Sequence, residues 1–223
     1  MPKLSAAFFA AVRKSLFAGK LSQGQVDGMT AIAAAFDRDG DGNARHLAYM
    51  LATAKHETAS TMEPLREFGR GKGHAYGKRD ATGQVPYGRG LVQLTWDYNY
   101  RKADDKLGLN GALVKNYDLA LDLALSARIL VRGMIEGWFT TKKLSDYDAY
   151  HDMRRVVNGL DRADAIALYA RSFEAALSAQ PLVLTEEPSP APSQPVTPSS
   201  VTTTGWLAVL LDLIRSLIER FRK

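Results

Sequence analysis

Ala44-Arg45-His46-Leu47-Ala48-Tyr49-Met50-Leu51-Ala52-Thr53-Ala54-Lys55-His56-Glu57-Thr58 decides how the rest of the chain is read. At about 100° per residue, Leu47, Met50, Leu51 and Ala54 form one apolar stripe, so the spacing predicts a helix over 44–58 that docks on a core. Glu57 falls at the edge of that stripe and at the C-terminal end of the helix. Partial burial and the negative end of the helix dipole both disfavour an ionised carboxylate there. A carboxyl that keeps its proton is what a general acid at neutral pH requires. The plainer reading is a solvated glutamate satisfied by Lys55 or Arg66. The residues downstream weigh against it.

Glu67 follows ten residues later, directly after Arg66. From Glu67 to Gly90 seven glycines lie among lysines and arginines, with Tyr76 and Tyr87 between them. That composition excludes a regular helix or a central strand, and its length marks a functional loop rather than a connector. The order of glycines, lysine and serine or threonine that makes a phosphate-binding loop is absent. Leu91-Val92-Gln93-Leu94-Thr95 is rich in β-type residues, giving one short strand or an extended wall of a cleft.

Towards the N-terminus, Phe8, Phe9, Val12, Leu16 and Phe17 recur at helical spacing, which predicts a helix over 5–18 ending at Gly19. Arg13 and Lys14 interrupt the apolar run too early for a cleaved signal peptide. Ser22 and Gln25 make a capping box for a second helix running to about Phe36. Asp37-Arg38-Asp39-Gly40-Asp41-Gly42 opens like a calcium loop, but Ala48 stands at the twelfth position, where such a loop needs a bidentate glutamate. A polar turn is expected there, with a weak cation site as the alternative.

From Trp96 onward the helical period returns. It predicts helices over Tyr98–Leu107, Leu119–Phe139 and Asp148–Val157, with a turn at Leu109 and another at Asn158-Gly159. A last helix over Arg162–Leu177 puts Ile166, Tyr169, Phe173 and Leu177 on one face. The result is an all-α domain over 1–180 with one short β element beside the cleft. Residues 181–204 hold most of the chain's nine prolines among serines and threonines, and read as a semi-rigid linker. From Trp206 to Lys223 an apolar face including Leu210, Leu213, Ile214, Leu217 and Phe221 opposes Asp212, Arg215 and Glu219. The charge-free run falls short of the roughly 20 residues a bilayer span needs, so a helix over 205–223 lying in a membrane interface is expected. Packing on a protein surface, self-association and a tilted span are the alternatives.

With no cysteine among 223 residues, disulfides and thiolate metal sites are excluded. A net charge of +5, all of it within the first 184 residues, favours an anionic partner. No run of lysine and arginine resembles a nucleic-acid arm, so nucleic acid is not expected. His56-Glu57 opens the zinc-protease HExxH pattern, but Ser60 stands where the second histidine should be. His46, His56, His74 and His151 are scattered, which argues against a zinc amidase. Neither metal nor cofactor is expected, and the domain reads as a monomer.

The motifs Ala48-Tyr49-Met50-Leu51-Ala52-Thr53-Ala54 leading into His56-Glu57-Thr58, then Arg66-Glu67, Tyr87-Gly88-Arg89-Gly90, Gln93-Leu94-Thr95, Tyr98-Asn99-Tyr100 and Val157-Asn158-Gly159, resemble the family 19 glycoside hydrolases. These are the chitinase-like branch of the lysozyme superfamily, and the resemblance is greatest to the cysteine-free endolysins of phages and prophages. It covers about residues 5–178. It implies that Glu57 matches the general acid, Glu67 the general base that activates water, and Thr95 the residue that helps hold that water. Gln93, Tyr98, Asn99 and Asn158 match residues of the sugar-binding cleft. His56, a hydrogen-bonding neighbour of Glu57, and Tyr87 are grouped with them.

The family inverts the anomeric centre, which needs carboxyls about 6.5–9.5 Å apart with a water between them. Plant members place the second glutamate about twice as far along the chain, in a disulfide-braced loop, so Glu67 rests on a shorter version and Glu63 and Asp80 stand as substitutes. Without a correctly placed base the site would act as a lytic transglycosylase. The implied function is cleavage of peptidoglycan glycan strands, by an enzyme made in the host cytoplasm and released to the wall through a separate pore protein. The alternatives are a chitinase acting on chitin or its oligosaccharides, and a non-enzymatic factor that binds wall and disrupts membrane.

Overall fold

The computed structural model describes residues 4–179, and within them the chain is all-α apart from one two-stranded ribbon. The expected linker over 181–204 and amphipathic helix over 205–223 lie outside the described residues.

Helix α1 (Ala6–Leu16) starts where the Ser5 hydroxyl accepts from the Phe8 amide, and it buries Phe8 and Val12. Helix α2 (Gln23–Asp39) opens on the Ser22/Gln25 capping box and buries Met29, Ile32, Ala35 and Phe36. It runs three residues beyond Phe36, so Asp37, Arg38 and Asp39 are helical rather than part of a polar turn. The Asp39 carboxylate is paired with Arg38 and with Arg128, and Asp41 is 2.5 Å from His46 Nδ1.

Helix α3 (Ala44–Glu57), capped by Asn43, is the centre of the domain. Every residue from His46 to Lys55 is buried, so the helix is enclosed all round instead of presenting the single apolar stripe its spacing suggests. Ala48, Ala52 and Ala54 allow neighbours to approach on several sides at once. Helix α7 (Ala163–Ser178), which buries Ile166, Ala167, Ala170 and Phe173, packs along α3 and also meets α1, while α2 packs on α6 (Leu123–Glu136).

Two expected helices of the second half are corrected. The long helix is Leu123–Glu136 rather than Leu119–Phe139, because Asp122 caps it by accepting from the Leu125 amide and Gly137 ends it in a left-handed conformation, with φ +75°. Tyr117–Leu121 forms a 3-10 turn ahead of it. The shorter helix is a 3-10 segment over Asp152–Val156. Helix α4 (Asp97–Leu107) lies where the spacing put it, and the short α5 (Ala112–Lys115) went unread because four residues carry no period.

The β element is also displaced. Strand β1 (Leu65–Arg66) pairs antiparallel with β2 (Arg89–Gly90), with Leu65 opposite Gly90 and Arg66 opposite Arg89. Leu91 to Gln93 turn back, so that Leu94 bridges to Arg89 instead of continuing a strand. The reversal needs left-handed backbone at Gly90 (φ +86°) and Gln93 (φ +51°), and the Leu91 amide is taken by Ser126 Oγ at 2.8 Å. β-type side chains here serve burial rather than pairing, since Leu91, Val92 and Leu94 all enter the core.

Candidate active site

Glu57 is the last residue of α3, and the turn after it is tied down closely. Ala59, Ser60 and Met62 all have positive φ, so the chain reverses within a few residues of Glu57. Thr58 Oγ1 donates to the Ala54 carbonyl and accepts from the Met62 amide at 2.9 Å. Ser60 is held by Lys55 Nζ on its hydroxyl and by Gln25 Nε2 on its carbonyl, each at 2.8 Å. A Cβ on Gly28 would lie 1.9 Å from the Met62 carbonyl oxygen, so α2 touches this turn backbone to backbone. The base of Glu57 is therefore fixed from two helices.

The Glu57 carboxylate has a partner that the sequence reading missed. Arg154 Nη1 donates to Glu57 Oε1 at 2.8 Å, the arginine side chain being 2% exposed and the glutamate 17%. Arg154 Nε is held in turn by the Asp161 carbonyl at 2.9 Å. The guanidinium thereby fixes the direction in which Glu57 Oε1 points. Glu57 Oε2 makes no hydrogen bond among the described residues, so one oxygen is oriented by Arg154 and the other is open to the cleft.

Glu67 sits just beyond β1 and is held by both ends. Its amide donates to the Gly88 carbonyl at 2.8 Å, and Gly88 N donates back to Glu67 Oε2 at 2.9 Å. Tyr76 donates its hydroxyl to Glu67 Oε1 at 2.9 Å. Burial, with the hydrogen bond and the charge of Glu67 adding to it, pushes the Tyr76 phenol up to about 12, so it remains a donor at neutral pH. The two substitutes lie elsewhere. Asp80 is consumed by Thr82, by the Tyr117 hydroxyl and by the Gln84 backbone, and Glu63 lies against α2 at Gly24.

A cleft of about 380 Å³ opens beside Glu57. Gln93, Thr95, Tyr98, Asn99 and Asn158 line it together with Glu57. Glu67 does not line it directly but touches it through Tyr76, which does. His56 and Tyr87 are not in the lining. His56 is half-buried behind Glu57; burial holds its imidazole below the usual histidine range, with Glu57 opposing and Arg154 adding. Tyr87 is buried, with the Arg89 guanidinium 3.6 Å from its ring centroid, and its carbonyl accepts from Arg89 and from the Tyr100 hydroxyl.

These contacts make Tyr87-Gly88-Arg89 a frame around Glu67. Arg89 is buried and spans Val85, Tyr87, Tyr100 and Asp118. Asp118 also takes Arg66, whose guanidinium holds the carboxyl below the usual range against the effect of burial, with Arg89 adding to it. The strand pair carrying Glu67 is thus pinned to the 3-10 turn before α6.

On the cleft wall, Asn99 donates from Nδ2 to the Thr95 carbonyl at 3.0 Å, while its Oδ1 is buried with no partner among the described residues. An unpaired acceptor is costly unless a ligand donor meets it. Trp96, with φ +70°, is a non-glycine residue in left-handed backbone; its ring stacks on Tyr98 at 5.9 Å and meets Tyr76 edge-on at 5.4 Å. Trp96, Tyr76, Val92, Phe139 and Val157 are lining residues that the sequence reading did not select. Spacing gives no sign of them, because they come from four separate segments. A buried arginine such as Arg154 announces the need for an acid only once its burial is known.

The fold has known counterparts. Chitinase C from Streptomyces griseus HUT6037 superposes with a TM-score of 0.56 at 21% identity, over 78% of this chain and 76% of that one. A bacterial family 19 chitinase, described as differing from plant enzymes, gives 0.55 at 21% identity over 81% of this chain and 97% of that one. In sequence, acidic endochitinase SP2 of Beta vulgaris is 34% identical over 92 residues, 37% of this chain. The chain spans about a third of the length of that relative, 32% of it. No protein-family model matches the chain. The chain has the mainly helical, lysozyme-like fold of the family 19 chitinases.

Proposed function

We propose that this protein is an endolysin, a glycoside hydrolase that cleaves the glycan strands of bacterial peptidoglycan by inverting acid–base hydrolysis. The observation that carries the reading is the unequal holding of two glutamates at one cleft. Glu57 faces the cleft with Oε2 unbonded, and Glu67 stands behind Tyr76 with each oxygen accepting one hydrogen bond.

Glu57, protonated on Oε2, gives its proton to the glycosidic oxygen as the bond to the anomeric carbon breaks. Glu67 takes a proton from the water that attacks the opposite face of the sugar, and Thr95 helps to hold that water. Asn99 Oδ1 accepts from a sugar N–H or O–H, and Gln93, Tyr98 and Asn158 fix the ring. Oriented groups act here chiefly by avoiding the entropy of bringing water and acid together. The positive charge of the domain suits a wall polymer that carries carboxylates, and the segment over 205–223 is assigned to contact with the membrane.

The experiment is digestion of purified Gram-negative sacculi followed by mass spectrometry of the released fragments. Hydrated reducing ends are expected, with the inverted anomer seen by proton NMR before mutarotation, and their loss in Glu57→Gln. Anhydro ends would replace hydrolysis by lytic transglycosylation, and release undiminished by Glu57→Gln would remove the catalytic assignment.

A second reading is a chitinase, favoured by the names of the proteins that share the fold and part of the sequence. Faster release of sugar from chitooligosaccharides than from sacculi decides for it.

A further inference from the structure

The loop between the two limbs of the candidate site carries a charge that neutral glycan hydrolysis does not use. Phe68 to Arg79 contains Arg70, Lys72, Lys78 and Arg79 and no acidic residue, in a chain whose net charge is +5. All four cations are exposed. Arg79 donates to the Gly83 carbonyl, and no salt bridge among the described residues involves any of the four. The acids nearest in sequence are already engaged: Glu67 by Tyr76 and Gly88, and Asp80 by Thr82 and Tyr117.

The loop has a defined shape. Four successive turn hydrogen bonds close it, from Arg70 N to the Glu67 carbonyl, Lys72 N to Gly69, His74 N to Gly71 and Gly77 N to His74. Its limbs touch where a Cβ on Gly77 would lie 1.8 Å from the Gly71 carbonyl oxygen. Tyr76 anchors the loop to the cleft, bonded to Glu67 and in edge contact with Trp96, and His74 stacks on Tyr76 at 4.9 Å. Arg70, Lys72 and Lys78 are therefore presented on a closed scaffold attached to the cleft wall.

We infer that this loop recognises carboxylates on the stem peptides of a peptidoglycan strand lying in the cleft, and so sets a preference for wall glycan over uncharged chitin. This rests on the reading of the cleft as a glycan site and adds the element that reads charge. Chitin is a neutral polymer and gains nothing from unpaired cations at the rim. A strand bearing peptide carboxylates gains from each contact, and exposed ion pairs of this kind are each worth about twofold to fivefold in affinity. Three together give on the order of tenfold, with a marked salt dependence.

The test is co-sedimentation of the full chain with insoluble Gram-negative sacculi, native or with their carboxylates converted to amides. The variants are wild type and the triple substitution Arg70→Gln, Lys72→Gln, Lys78→Gln, compared at low and high salt after thermal melts show equal folding. Expected are about tenfold weaker binding of the triple variant to native sacculi, a similar loss for wild type on amidated sacculi, and no further loss when the two are combined. Equal binding of wild type and triple variant to native sacculi overturns the inference, as does a variant whose loss is the same on amidated sacculi. Fragment release is read separately on the same samples. Charge-dependent binding without release by wild type sinks the hydrolase reading alone, whereas release with charge-independent binding sinks only the role of the loop.

Discussion

Arg154 and Glu57 lie 97 positions apart in the chain and meet at 2.8 Å, which joins the 3-10 segment before the Asn158 turn to the end of the central helix. The same segment supplies Asn158 to the cleft, with the Asn158 amide bonded to the Arg154 carbonyl at 2.9 Å. The acid and one wall of the cleft are thereby set in a single unit.

Removal of the arginine should be felt twice. Arg154→Met keeps an apolar stem but leaves the partly buried Glu57 Oε1 without its donor, at a cost of roughly 1–3 kcal/mol. Urea denaturation measures it, and Glu57→Gln should cost much less because an amide still accepts from the guanidinium. The variant should also turn over sugar slowly at temperatures where it remains folded, since Oε1 has lost its guide. Full activity in folded Arg154→Met would mean that the arginine serves stability only.

Tyr76 separates holding from proton transfer. Glu67→Gln removes the proposed base and should lower the turnover rate by about 10² to 10⁴ with little change in melting temperature. Tyr76→Phe leaves the carboxylate and removes only one hydrogen bond, so a loss of about fivefold, near 1 kcal/mol, is expected. A Tyr76→Phe variant as slow as Glu67→Gln would point to the tyrosine as a direct participant. Initial rates on a soluble glycan oligomer distinguish the two.

How much of this was legible in the sequence depends on the length of the signal. Helices α1, α2, α3, α4 and α7 could be read because their apolar positions recur over three or more turns and caps such as Ser22/Gln25 mark their starts. Leu119–Phe139 was read too long because its apolar residues continue through a 3-10 turn and past Gly137, and only the cap at Asp122 and the left-handed glycine set the ends. The strand was misplaced because Leu91, Val92 and Leu94 have β-type side chains for the sake of burial. In the site, Glu57, Gln93, Thr95, Tyr98, Asn99 and Asn158 lie in short local motifs and could be selected, whereas Arg154 and Phe139 join them only through the packing of distant segments.

His56 should make stability fall on the acid side of neutrality. Burial holds its folded-state value below the unfolded 6.5. Above that pH the imidazole is neutral in both states and contributes nothing. As the pH drops below about 6.5 the unfolded chain takes up a proton that the folded chain refuses, so stability declines until the folded-state value is passed. Denaturation midpoints of wild type and His56→Gln at pH 7.5 and 5.5 test this, both values being chosen to bracket the unfolded histidine range of about 6.5. The wild type should lose more between the two, and parallel declines would show that His56 is not responsible.

Gly28→Ala should damage the site from the opposite side of the helix layer. Its new methyl would sit 1.9 Å from the Met62 carbonyl oxygen and 2.9 Å from the Met62 carbonyl carbon, which are backbone atoms and cannot swing aside. Met62 is fully buried, and its amide is committed to Thr58 Oγ1, so the turn cannot retreat without breaking the bond that closes it. Either α2 separates from the turn or the turn shifts, and both routes cost about 1–3 kcal/mol by the usual penalty of overpacking. For a domain of this size that corresponds to a fall in melting temperature of roughly 2–12 °C. Gly159→Ala is the control for stability, because a Cβ there meets nothing within 4 Å. The distinguishing outcome is activity well below the melting temperature. Glu57 leads directly into the displaced turn, so folded Gly28→Ala should lose turnover while its binding to substrate changes little. If its turnover is that of wild type, the turn after Glu57 can move without moving the carboxylate, and the fixing of the acid must be assigned to Arg154 alone.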